Sequence, residues 1–506
     1  MAKSATRPAT KSATKSAVKS AVKSTAKPTT KPTRKSSTEI ASAFRAYAQK
    51  VHKEFKTPGA SYALILPDGD HVVNLGVTSL ENPLPIDADT FFQIGSNTKT
   101  LTSLTISVLV AQGKLKLDDT VRTHLPKFIL KDKSVAAKIT INDLLTHQGG
   151  FQGDLFEETG DGDDAVAKVL DLLAKSPQVV PLRSHWSYNN AGFYVAGRVI
   201  EVITGQTYEA AVTERVLEPL GMTQTVFFAN QVMTRRFAAG HNKIENKFVV
   251  QRPWMMMRSA GPAGSTCTST ITDMLRYAHY ILSGTMPPAV KPKKGEKAKP
   301  KSPLGGLKRE HLWKPQVAMG LSINGAPGTR GQMGQSWFND TYPNAKIISH
   351  GGTTLGHQSD FWLSPDHRVG FIGLTNGSNG HAMNRKLSDW VKREVLGLEI
   401  PEPVYVEVAR DRLLEFSGKY PVIGQPLTIG IEFKKGALIL AMPNTTTGAT
   451  DRVPLRFIAP EIALITEGDN KGYGIEFLRN PRGKVAFIRF GGRLYPRGSD
   501  EKIPKP

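Results

Sequence analysis

Three short stretches of the chain hold the residue types that covalent acyl transfer needs. Ser96-Asn97-Thr98-Lys99 sets an alcohol and an amine three residues apart, so at the start of a helix both side chains share one face, one turn apart. An amine there eases deprotonation of the serine only if its surroundings lower its pKa, because an exposed ammonium at about 10.4 is a poor base at neutral pH. The helix start also leaves the Ser96 N–H free, and the helix dipole favours the negative oxygen of a tetrahedral intermediate. Tyr188-Asn189-Asn190, 92 residues downstream, adds a phenol and an amide. A phenolate beside Lys99 would take the serine proton and return it to the leaving group, while the Asn190 amide would bond both Lys99 and a substrate amide. A further 162 residues on come His350-Gly351-Gly352-Thr353. On an edge strand the two glycines let an extended substrate pair with the backbone, and Thr353 N–H is placed as a second oxyanion donor. His350 would bring a hydrogen bond and a partial positive charge to a substrate carboxylate or carbonyl.

Each stretch has an ordinary reading when taken alone. Ser96 is then a helix cap and Lys99 a surface lysine, Tyr188 a packed aromatic, Asn190 a cap, and His350 a turn residue. The case for chemistry lies in their order and in the elements that carry them. Apolar Leu101, Leu104, Val108 and Leu109 predict a helix from about Ser96 to Gln112, with Gly113 as its stop. A second helix over Asn190–Thr204 follows Tyr188 directly. Further helices are predicted from Ser36, where Ser36-x-x-Glu39 resembles a capping box, over Asp164–Ala174, over Thr270–Leu282 and over Ala382–Val395. Tyr62–Leu66 and Val72–Val77 flank Pro67-Asp68-Gly69-Asp70 and predict a β-hairpin; Ser359–Leu363 and Val369–Thr375 predict a second strand pair. Strands at both ends of a helical middle predict an α+β fold, an antiparallel sheet whose first and last segments meet, over residues 39–400. Past Pro401-Glu402-Pro403, short alternating runs such as Leu427–Phe433, Leu438–Met442, Ile475–Leu478 and Val485–Phe490 predict a small antiparallel barrel or sandwich over residues 404–506.

Composition narrows the function classes. The net charge of +22 on 506 residues is concentrated: residues 1–38 contain ten basic residues and no acid, and without them the charge falls to +12. Lysines at every fourth position repel on a helix, and Pro8, Pro28 and Pro32 interrupt one, so residues 1–38 are expected to be disordered. A second basic run, Lys291 to Lys301, marks a surface loop inserted at about 286–303. Such charge supports at most weak, salt-sensitive polyanion contact by the tail; no motif for sequence-specific nucleic-acid reading accompanies it. The single cysteine, Cys267, excludes an intramolecular disulfide and is expected to be a small buried hydrophobe. No apolar stretch long enough to span a membrane and no secretory signal is seen, so a cytoplasmic setting is expected. Residues 154–164 hold six acids, read as a solvated loop with Asp163 or Asp164 capping the next helix, or as an acidic rim favouring cationic substrates. Metal and nucleotide motifs are missing, and the chemistry outlined above requires no cofactor and no metal.

The three stretches together resemble the serine β-lactamase and D,D-peptidase superfamily, closest to the branch with class C β-lactamases, D-aminopeptidases and related esterases. Phe92-Gln93-Ile94-Gly95, Leu144-Leu145-Thr146-His147-Gln148-Gly149-Gly150 and Pro262-Ala263-Gly264 add to the likeness. The resemblance covers about residues 39–398. It implies a β-lactamase/transpeptidase-like fold with a lipocalin-like C-terminal barrel. It also implies Ser96 as nucleophile, Lys99 and Tyr188 sharing the acid and base work, Asn190 binding substrate, and Ser96 and Thr353 N–H groups as the oxyanion hole. Gly352 and His350 complete the substrate strand. The implied activity is hydrolysis of an amide or ester, on a small molecule or a short peptide containing D-residues. One departure is His350-Gly351-Gly352 where β-lactamases of this type carry Lys-Thr-Gly. A largely neutral histidine weakens the grip on a β-lactam carboxylate, which points to peptidases and esterases, or alternatively to a sensor that penicillin acylates without turnover.

Overall fold

The chain enters its main sheet through the strand Gly59–Leu66, buried along its whole length. Near-continuous burial requires cover on both faces, and the sheet has it. This computed structural model describes residues 36–245, 247–288, 302–323, 328–444, 448–468 and 470–498. The tail up to residue 35 and most of the inserted basic loop lie outside the described residues.

Eight antiparallel strands form the sheet in the order Gly69–Gly76, Gly59–Leu66, Val369–Thr375, Gln358–Ser364, Ala345–Thr353, Phe338–Tyr342, Arg330–Met333 and Val317–Leu321. The first hairpin turns at Pro67-Asp68, with Leu66 opposite Gly69. Ala60 pairs with Thr375 and Ile65 with Gly370, so the two ends of this region meet as expected. One face is covered by the helices Ser37–Phe55 and Gly380–Leu396 through Phe44, Val51, Tyr62, Phe371 and Leu387. The other packs against a larger helical layer through residues such as Leu104, Phe193, Tyr277, Trp337 and Phe361.

The helix Thr98–Ala111 runs through the middle of that layer and is buried on almost every side of its first three turns. Such burial would be costly for so many hydroxyls without partners. Thr100, Thr102 and Thr105 donate to the carbonyls of Asn97, Thr98 and Leu101 respectively, which reconciles a threonine-rich helix with an apolar interior. The helix is preceded by one 3-10 turn, Gly95–Asn97, so Ser96 sits in that turn rather than in the α-helix itself.

Three strands of the sheet, Val317–Leu321, Arg330–Met333 and Phe338–Tyr342, and a hairpin of His241–Ile244 with Lys247–Val250 were not foreseen from the sequence. The strand Ala345–Thr353 lies inside the sheet, but its neighbour Phe338–Tyr342 pairs only with residues 345–349. From His350 onward one side of the backbone is therefore open.

The C-terminal region forms a second antiparallel sheet of eight strands in sequence order, from Gly418–Pro421 to Arg493–Pro496. Gly498 N–H donates to Lys419 O at 2.8 Å, bringing the last strand back to the first and nearly closing a barrel. Its interior is built on the stacked rings of Phe416, Phe457 and Phe477. Phe416 ends a short helix, Arg410–Phe416, that leads into the first strand. No helix among the described residues is long and apolar enough to cross a membrane.

Candidate active site

Three glycines fix Ser96 in space. Gly95 has φ +52°, and a Cβ there would lie 2.7 Å from Thr353 N. A Cβ on Gly264 would meet Gly95 O at 2.1 Å, and one on Gly352 would meet Ile94 O at 2.0 Å. The serine turn is thus wedged between the open strand and the segment that follows Pro262, at distances only glycine permits. Asn97 Nδ2 donates to Ser359 Oγ at 2.7 Å, and Ser359 Oγ donates to Ile94 O at 2.8 Å, tying the turn to the neighbouring strand.

Lys99 is fully buried. Its Nζ stands 2.9 Å from Ser96 Oγ and donates to Ala263 O at 2.7 Å. It also faces the rings of Tyr188 and Phe193 at 5.0 and 5.6 Å. Burial drives its pKa well below the ordinary value; the Arg493 charge adds to this and Asp154 opposes it. The perturbation that the chemistry demands is therefore present. Tyr188 lines the same cleft as Ser96, with its ring against the Lys99 amine. Burial raises the phenol pKa despite the opposing influence of Ser96 and the nearby Arg493, so its resting form is the neutral phenol and not the phenolate expected from sequence. Below the ring lies His147, stacked at 4.4 Å, with its Nδ1 accepting the Asn189 N–H at 3.0 Å.

The remaining residues singled out above converge on the same cleft with altered roles. Asn190 turns its amide N–H to Asp154 Oδ1 at 2.7 Å, while Lys99 uses Ser96 and Ala263. His350 is buried against Phe338 at 4.8 Å, and its Nδ1 is 2.6 Å from Gly351 O. Burial, assisted by Lys99, depresses its pKa to about 3; the partial positive charge expected there is missing. Thr353 N lies against Gly95, next to Ser96. Of the six acids in 154–164, Asp163 pairs with Arg258 and Asp164 with Lys168, and Asp164 makes no side-chain cap. That segment gives the cleft the half-exposed ring of Phe156 rather than a row of carboxylates. Cys267 is buried and its thiol is pushed up to about 12 by burial, which removes it as a nucleophile.

The cleft has a volume of about 310 Å³. Ser96, Tyr188 and Asn190 line it together with the apolar Phe156, Met256, Ile323 and Phe338. Beyond Gly351 it continues to Asp360, His381 and Tyr473, where burial raises the Asp360 carboxyl to about 6. Arg493, from the last strand of the barrel, also lines it. Sequence reasoning missed Arg493 and treated Asp154 as one of a run. The signal available was Gly491-Gly492 just before the arginine, a hairpin tip, but nothing in the pattern said where that tip would dock. Among the described residues no cluster of His, Cys, Asp or Glu is arranged to hold a metal ion.

A serine beside a buried, depressed amine and a phenol, at the junction of an antiparallel sheet and a helical layer, defines the β-lactamase and penicillin-binding class of serine hydrolases. The family model described as Beta-lactamase matches residues 44–394, and the chain belongs to that family. It is similar to penicillin-binding protein 4 of Amycolatopsis lactamdurans, 30% identical over 366 residues that cover 72% of this chain and 92% of that protein. The fold is shared with the crystal structure of SurE, at TM-score 0.67 and 20% identity, covering 90% of this chain and 98% of that one. An octameric penicillin-binding protein homologue from Pyrococcus abyssi aligns at TM-score 0.58 and 21% identity, covering 90% and 99%.

Proposed function

We propose that the protein hydrolyses an amide or ester bond through an acyl-enzyme on Ser96, with short apolar peptides, D-residue peptides among them, as the favoured substrate class. The observation that carries this reading is the 2.9 Å separation of Ser96 Oγ from the buried Nζ of Lys99, with Tyr188 lining the same cleft and its ring 5.0 Å from that amine. Neutral Lys99 accepts the Ser96 proton as Oγ attacks the carbonyl carbon. The N–H groups of Ser96 and Thr353 receive the developing oxyanion. The tetrahedral intermediate collapses as Tyr188 gives its proton to the leaving amine or alcohol and regains one from Lys99. Water then enters, loses a proton to the same relay, and releases the acid. Gly352 and the open backbone from His350 give an extended peptide a strand to pair with, while Phe156, Met256, Ile323 and Phe338 accept an apolar side chain. Asn190, held by Asp154, keeps its amide oxygen available to a substrate N–H.

The test is intact mass after exposure to a fluorophosphonate, on the native chain and on Ser96→Ala. A single adduct on the first and none on the second is expected; a folded native chain that stays unlabelled defeats the proposal. A second reading, a penicillin-binding sensor with little turnover, draws on the neutral state of His350, which offers a β-lactam carboxylate no charge. A penicillin adduct persisting for hours, with no peptide or ester hydrolysis, would favour it.

A further inference from the structure

We propose that the barrel is a working part of the acyl-transfer site: its Arg493, paired with Asp154, is a positioning residue that seats Tyr188 and balances the charge facing Lys99. This rests on the Ser96, Lys99 and Tyr188 reading given above and extends it to a region that the family match, ending at residue 394, does not reach.

The contacts that reach Tyr188 come from one hairpin tip. Gly491 and Gly492, at φ +54° and +76°, turn the chain between Val485–Phe490 and Arg493–Pro496, the left-handed geometry of a tight hairpin. Tyr188 N–H donates to Gly492 O at 2.9 Å, and Leu494 N–H donates to Ser187 Oγ at 3.3 Å. Gly492 also lies close to Ile323 and the Trp186 ring, and its φ of +76° is what favours glycine there. The backbone that carries the phenol is thereby hydrogen-bonded to the barrel.

Arg493 completes the connection. Its Nε and Nη2 donate to Asp154 Oδ2 and Oδ1 at 2.7 and 3.1 Å, and its Nη1 donates to Gly491 O at 2.9 Å. The guanidinium lies 4.8 Å over the Tyr188 ring. Asp154 Oδ1 also accepts from Asn190, and its carbonyl accepts from Gln425 Nε2 of the barrel at 3.1 Å. Such a two-pronged pair fixes orientation as well as charge. Around it Tyr188, Tyr194 and Tyr495 are neutral phenols, their pKa values raised by burial. The imidazoles of His147 and His350 are neutral too, both depressed by burial. The charges left to act on Lys99 are Arg493, which favours its neutral form, and Asp154, which favours its cation. As a pair they oppose each other; apart, each acts alone.

The test uses the full chain and a small neutral fluorophosphonate, which has no carboxylate for an arginine to grip, with labelling rates followed from acid to alkaline pH. Arg493→Met exposes Lys99 to unpaired Asp154, so the acidic limb moves up by about one pH unit and labelling at any pH on that limb drops by up to about tenfold. Asp154→Asn leaves Arg493 alone, and the limb moves down. The double variant returns close to the native profile. Lower rates with unmoved limbs in both single variants would mean packing only, and a raised KM confined to carboxylate-bearing substrates would mean a substrate contact only; either overturns the proposal. If Arg493→Met alone fails to fold, the downward shift of the limb in Asp154→Asn and its return in the double variant still decide it. An unlabelled native chain would instead defeat the underlying reading, so the two failures are distinguishable.

Discussion

The two sides of the cleft are held by different physics. On the side of the main sheet, Ser96 and Thr353 are positioned by backbone in contact with backbone, with Gly95, Gly264 and Gly352 at the contacts. Among the described residues Lys99 has no carboxylate within ion-pair distance, and it is kept by burial and a carbonyl. On the side of the barrel, Arg493 is held by an ion pair, a ring and a hairpin tip. Close packing resists displacement steeply, because interiors are as dense as organic crystals; polar contacts across an interface yield and reform. The reacting atoms are thus lodged where nothing gives, and the charge that acts on them comes from the side that can be changed without rebuilding the core.

The largest effect should come from breaking the first side chemically. Lys99→Met keeps the volume and the burial but removes the amine, and acylation of Ser96 should fall by about 10²- to 10⁴-fold. In the native chain the rate should rise as pH climbs through the lowered Lys99 pKa, since only the neutral amine can accept the serine proton. Lys99→Met should lose that limb altogether. Stopped labelling assays across pH read both outcomes, and a persistent limb in the variant would assign the titration to another group.

Next in size is a steric break of the same side. Gly264 has φ +111°, and an added Cβ would fall 2.1 Å from Gly95 O, a backbone atom with no flexible end to move. Gly264→Ala should lower the thermal midpoint and cut Ser96 labelling by at least about tenfold, a displacement of about 1 Å at the nucleophile being enough. Gly436→Ala, at φ +83° in a barrel turn with open space around it, carries backbone strain without the clash. It should cost stability alone, and equal loss of labelling in both variants would show that global stability, not the serine turn, sets the rate.

These differences also mark what the sequence could and could not show. Ser96, Lys99 and Tyr188 were legible because their spacing and the helices beside them are local signals, and Pro67-Asp68 located its hairpin for the same reason. Val317–Leu321 was not, since a glycine-broken run with a bulge between Ala318 and Gly320 lacks the alternation that marks a strand. The state of His350 was hidden because its pKa depends on burial against Phe338 and on Lys99, which are set by tertiary packing. Arg493 was hidden for a related reason. Period-two alternation says which residues fill a barrel, whereas the surface on which a hairpin tip docks is decided by the partner.

The smallest expected effect sharpens the comparison from the far end of the barrel. Glu432 accepts from Arg452 at 3.3 Å and lies 2.5 Å from Lys434, all partly exposed. Pairs of this kind contribute about 0.2–1 kcal/mol, so Glu432→Gln should shift the thermal midpoint only slightly and leave Ser96 labelling unchanged at every pH. If the barrel acted on the site through its overall stability, this variant would move the rate in proportion to its small destabilisation. If the influence passes through the Gly491–Arg493 tip, it will not. A limb shift in Glu432→Gln comparable to that in Arg493→Met would place the coupling in the barrel's net charge rather than in the one guanidinium that touches Tyr188.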